Sequence, residues 1–80
     1  MSAAAPASGV RVHTAIALLN RLGEQWKAPI SSDVYEVVGV LSKRLRVVIT
    51  STGGVQREDT IAPEQLSIAT GWIYIRKVRP

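Results

Sequence analysis

The sequence predicts a mainly β domain of the α+β kind, in which one N-terminal amphipathic helix precedes a small curled antiparallel sheet of about four to five strands. Three observations lead there. Apolar residues recur at helical spacing only before Gly23, and after Asp33 they alternate or run together as strands do. The runs rich in Val, Ile, Thr and Tyr are separated by turn clusters short enough for hairpin-like steps. Gly39 interrupts the first of these runs, where a bulge or bend lets a short sheet coil on itself.

Residues 1 to 9, MSAAAPASG, offer a core nothing to bury and are expected to be a disordered tail ahead of one domain spanning residues 10 to 80. Between residues 10 and 23, Val12, Ala15, Ile16, Leu19 and Leu22 fall on one helical face. His13, Thr14, Ala17, Asn20 and Arg21 fall opposite, and Gly23 stands where a C-terminal cap belongs. Residues 24 to 33, EQWKAPISSD, read as a linker, because Pro29 disfavours helix at Ala28 and Ser31-Ser32-Asp33 reads as a turn. Its one heavy residue, Trp26, is expected to fold back over the core.

The sheet is expected over residues 34 to 80. Val34 to Leu41 and Arg44 to Ser51 are joined by Ser42-Lys43, and Thr52-Gly53-Gly54 turns the chain into Val55 to Ile61. Ala62 to Leu66 has proline at the first position of a single helical turn with an acid just after it. Thr70-Gly71 turns again into a last strand, Trp72 to Val78. This order of elements resembles that of the SH3-like and Sm-like small barrels, the latter in carrying a helix ahead of the strands. The resemblance covers roughly residues 10 to 78 and lies in element order, so it implies a small barrel and lends no functional residue.

Composition narrows the function. A chain of 80 residues makes one domain with a marginal core, so exposed apolar surface points to self-association or another protein partner. The absence of cysteine removes disulfides, thiolate metal sites and cysteine nucleophiles, and fits a reducing, cytoplasmic setting. No apolar run is long enough to span a bilayer, so no membrane partner is expected. Residues 1 to 22 hold Arg11 and Arg21, several Ser and Ala and no acid, a composition that organelle transit segments also have. Neither a nucleophile elbow, a P-loop nor a zinc-protease helix is present, and His13 stands alone. Glu58 and Asp59 are neighbours and point to opposite faces of a strand. The expectation is a binding protein that is not an enzyme and uses no metal or cofactor.

Charge says where it binds. The formal net charge is +4, and residues 43 to 46 and 76 to 79 together hold six of the ten Lys and Arg and no acid. In an extended strand Leu45, Val47 and Ile49 point one way, into the core, and Arg44 and Arg46 the other. Taking Ile73 and Ile75 as core-facing leaves Trp72, Tyr74 and Arg76 as an aromatic and cationic row outside, and if the two strands lie side by side the arginines extend it. Bases stack on rings while cations hold phosphates, so Lys43, Arg44, Arg46, Trp72, Tyr74 and Arg76 form a candidate surface for nucleic-acid binding or nucleic-acid-linked regulation. In the alternative reading those aromatics have structural roles, the cations are a solvated face, and the protein is an adaptor or inhibitor. That protein would contact a partner, or its own copy as a homo-oligomer, through the aromatic face or the helix, with Leu18 and Trp26 as interface residues.

Overall fold

The computed structural model describes residues 17 to 78. The described chain opens with a helical turn at residues 17 to 19 and then builds five strands: β1 Glu24–Lys27, β2 Val34–Leu41, β3 Arg44–Thr50, β4 Gln56–Ile61 and β5 Ile73–Lys77. Two 3₁₀ turns, Pro63–Gln65 and Ile68–Thr70, connect β4 to β5. The strands form one antiparallel sheet in the order β4-β3-β2-β1-β5. No helix among the described residues is long and apolar enough to cross a membrane.

β2, β3 and β4 lie where alternation places them, and the reason is burial. Leu45, Val47 and Ile49 are at most 1 % exposed, with Val37 beside them, and each such side chain moved out of water contributes roughly 1.5 to 3 kcal/mol. The register of β2 on β3 shifts between Val37 and Gly39, so the bend expected at Gly39 is a bulge. Gly39 itself lies under the Arg46 side chain, whose Cβ is 3.5 Å from where a glycine Cβ would stand.

Several expectations are corrected. The sheet is not the SH3-like or Sm-like barrel: β4 and β5 are its two ends, with no ladder between them. The crossover of two 3₁₀ turns tucks Leu66 into the core at 1 % exposure and delivers β5 to β1. Residues 24 to 27 of the expected linker are strand β1, which occupies the middle of the sheet between β2 and β5. The helix expected over residues 10 to 23 falls outside the described residues up to residue 16, and what is described of it is the turn at 17 to 19. There Leu18 is buried at 6 % while Leu19 is 53 % exposed, one residue away from the helical stripe, because the chain leaves helix for sheet within a few residues.

Gly23 makes that entry. Its φ is +88°, its N–H donates to the Val37 carbonyl at 2.8 Å, and its carbonyl accepts from Val78 N–H at 2.8 Å. A Cβ at Gly23 would collide with the Val78 backbone carbonyl, and the left-handed backbone adds about 1 to 2 kcal/mol for any L side chain. Gly53 has only Ser51 Oγ within reach, at 3.9 Å. We therefore expect Gly23→Ala to cost at least about 2 kcal/mol, read as a fall in Tm of about 8 to 16 °C, with Gly53→Ala close to neutral in the same thermal scan.

Candidate functional site

Directly paired residues of neighbouring strands share a face, so the registers assign every side chain. Trp26 stands opposite Tyr35 on one side and Tyr74 on the other, Tyr35 opposite Ile49, and Val37 opposite Val47. This is the core face. The solvent face carries the row Arg76, Gln25, Glu36, Val48 and Glu58, one residue from each strand in sheet order.

Register also explains why the last strand departs from simple alternation. Gln25 pairs with Arg76, but the next residue, Trp26, pairs with Tyr74, so Ile75 is skipped as a bulge. Tyr74 and Arg76, two residues apart, therefore face opposite ways. Tyr74 meets Trp26 edge-on with ring centroids 5.2 Å apart, and Trp72 meets Tyr35 edge-on at 4.7 Å. These contacts are the kind that stabilise cores, by roughly 0.5 to 1.5 kcal/mol beyond area burial. Ile73 and Ile75, taken from the sequence as core-facing, are instead 58 % and 43 % exposed.

The cations do share the solvent face, yet not as one patch. β3 and β5 are separated by β2 and β1, about 14 Å at the usual strand spacing, which replaces the side-by-side arrangement expected. Arg44 donates to Thr60 Oγ1 at 3.0 Å and to the Thr60 carbonyl at 3.2 Å, and Arg46 faces Glu58 at 3.9 Å. Arg76 donates to Gln25 Oε1 at 3.0 Å, and Gln25 Nε2 donates to Glu36 Oε1 at 2.8 Å. Lys43 is exposed at the tip of the β2–β3 turn. Glu36, on β2, thus lies between the arginines of β3 and Arg76, while Glu58, on β4, flanks Arg46 from the other side. Leu18 and Trp26, read from the sequence as interface residues, are 6 % and 7 % exposed and belong to the core cluster.

Two features went unread in the sequence. Arg21, placed on the outer face of a helix, is a hub: its Nε donates to Glu24 Oε1 at 2.8 Å, Nη1 to the Pro63 carbonyl at 2.7 Å and Nη2 to the Leu66 carbonyl at 2.6 Å. The same guanidinium lies 5.9 Å from the Trp26 ring centroid, and Trp26 Nε1 donates to the shared Glu24 carboxylate at 2.9 Å. The second is the place of β5. At the open end of the sheet all five of its residues are exposed, among them Ile73, Tyr74 and Ile75.

A cavity of about 260 Å³ lies against the β2 bulge, lined by Leu22, Gly23, Glu36, Val37, Val38 and Val78. Its one ionisable side chain, Glu36, is already engaged by Gln25. Among the described residues, no three His, Cys, Asp or Glu come together as metal ligands would. No family model, curated protein or solved structure matches the chain.

Arg21 is the testable part of this geometry. Lysine keeps the charge but presents no planar fork to three separated acceptors. Arg21→Lys is expected to cost about 1 to 3 kcal/mol, nearly as much as Arg21→Ala, and to alter the near-UV circular dichroism of Trp26. Equal stability of wild type and Arg21→Lys in urea unfolding would contradict the hub.

Proposed function

We propose that this chain is a small binding module that acts by contact with a protein, rather than by catalysis, and that its working surface is the β5 edge. The observation that carries this reading is the exposure of Ile73, Tyr74 and Ile75, at 43 to 58 %, on a strand that ends the sheet. Such an edge presents unpaired backbone donors and acceptors next to apolar side chains, the arrangement that accepts an added strand. β4, the other end, is guarded: Gln56, Arg57, Glu58 and Asp59 are exposed and polar, which deters pairing.

Nucleic-acid binding is the second reading, supported by Arg44, Arg46 and Arg76 on one solvent face and by the net charge of +4. It stands second because the rings of Trp72 and Tyr74 pack edge-on against Tyr35 and Trp26, the Glu36 carboxylate lies between the cations of β3 and β5, and Glu58 faces Arg46. A stacked base needs an open ring face and a continuous track for phosphates.

A salt titration separates the two. With a short single strand and a duplex, the protein reading expects only weak association near 0.15 M salt, with the same salt dependence in wild type and in the chain carrying Arg44→Gln, Arg46→Gln and Arg76→Gln. Tight binding whose salt slope becomes shallower by about 0.7 to 0.9 for each arginine removed, in variants that remain folded, would put nucleic acid first.

A further inference from the structure

The β5 edge is chemically polarised along its length, and the polarity specifies an occupant. Its first half is apolar, with Ile73, Tyr74 and the bulged Ile75, and its second half is cationic, with Arg76 and Lys77, followed in sequence by Arg79. Both described cations are held by neutral oxygens: Arg76 by Gln25 Oε1 and Lys77 Nζ by the Asn20 carbonyl. Glu24 is the register partner of Lys77, but its carboxylate serves Arg21 and Trp26. The ion pairs among the described residues are Arg21 with Glu24 and Arg46 with Glu58, so the two positive charges at the end of β5 have no counter-charge among those residues.

Resting on the reading of β5 as the working surface, we infer that the occupant is an extended segment of an acidic partner protein, added antiparallel to β5, with carboxylates in its N-terminal half and apolar side chains in its C-terminal half. The direction follows from the sheet, which is antiparallel throughout, and antiparallel ladders are the more stable per residue. In that orientation the partner's first residues stand opposite Lys77 and Arg76 and its last opposite Tyr74 and Ile73. A protein strand suits the edge better than a polynucleotide, since half of what β5 offers is backbone hydrogen bonds and exposed isoleucine. A second copy of this chain brings another net charge of +4, which repels at long range, whereas an acidic segment is drawn in.

The test uses the full chain and fluorescently labelled ten-residue peptides. One has Asp and Glu first and Val and Ile last, the second has the same residues in reverse order, and the third has Lys in place of the acids. The acidic-first peptide is expected to bind at least about tenfold more tightly than either control and to slow amide hydrogen exchange at residues 73 to 77. In the folded double variant Arg76→Glu and Lys77→Glu the preference is expected to pass to the Lys-containing peptide. Protection of β5 by all three peptides with similar affinity would overturn the inferred occupant and leave the strand-accepting edge standing. Absence of binding and of protection with every peptide would overturn both. Self-association of the chain alone that protects residues 56 to 61 and 73 to 77 together would replace the acidic partner with a second copy.

Discussion

The guanidinium of Arg21 is the constraint on which the arrangement of this sheet rests. The two ends of the sheet are joined in sequence by the crossover of 3₁₀ turns, and the carbonyls of Pro63 and Leu66 on that crossover are both acceptors of Arg21. The same group anchors Glu24, the first residue of β1, and lies beside Trp26. One side chain therefore fixes where the chain enters the sheet, where the crossover lies, and so where β5 begins. Its side chain is 21 % exposed, sheltered enough that hydrogen bonds to a charge are worth about 1.5 to 3 kcal/mol each. Against a total stability of several kcal/mol for a domain this small, that is a large share concentrated in one residue.

How much of this was legible in the sequence depends on whether each interaction is local. β2, β3 and β4 follow from alternation because one face is buried, and slipping by one residue would expose Leu45, Val47 and Ile49 together. The bulge at Gly39 and the Pro63 turn are likewise written in residues with special backbone demands. β1 was hidden because Glu24, Gln25 and Lys27 are poor strand formers and Pro29 follows closely. Its strand character comes from being sandwiched between β2 and β5. Arg21 was illegible for a simpler reason: two of its acceptors lie 42 and 45 residues away and are backbone atoms, which no residue pattern encodes.

Within β5 the facing of the side chains departs from alternation at a single point, and that point is informative. Without the bulge, the register that pairs Gln25 with Arg76 would continue as Trp26 with Ile75 and Lys27 with Tyr74, putting Ile75 on the core face and Tyr74 in solvent, as alternation requires. Skipping Ile75 reverses this. Tyr74 turns to the core face and packs edge-on against Trp26 while staying 44 % exposed, and Ile73 and Ile75 are left about half exposed beside it on the outermost strand.

That exchange has an energetic consequence. The fold gains one edge-on aromatic contact, worth roughly 0.5 to 1.5 kcal/mol beyond its area, and gives up part of the burial of two isoleucines, each worth roughly 1.5 to 3 kcal/mol when complete. In the isolated chain the bulged register leaves apolar surface of β5 in water. The balance changes when a strand is laid on the open edge, because the added chain covers Ile73 and Ile75 and satisfies the outward backbone groups of β5 at once. A bulge commonly serves to spoil an edge, but here it leaves the apolar side chains at the edge and turns Arg76 outward beside them, while the opposite edge is lined with Arg57, Glu58 and Asp59. The two ends of the sheet thus differ in kind, and it is β5 whose exposed surface a bound strand would stabilise.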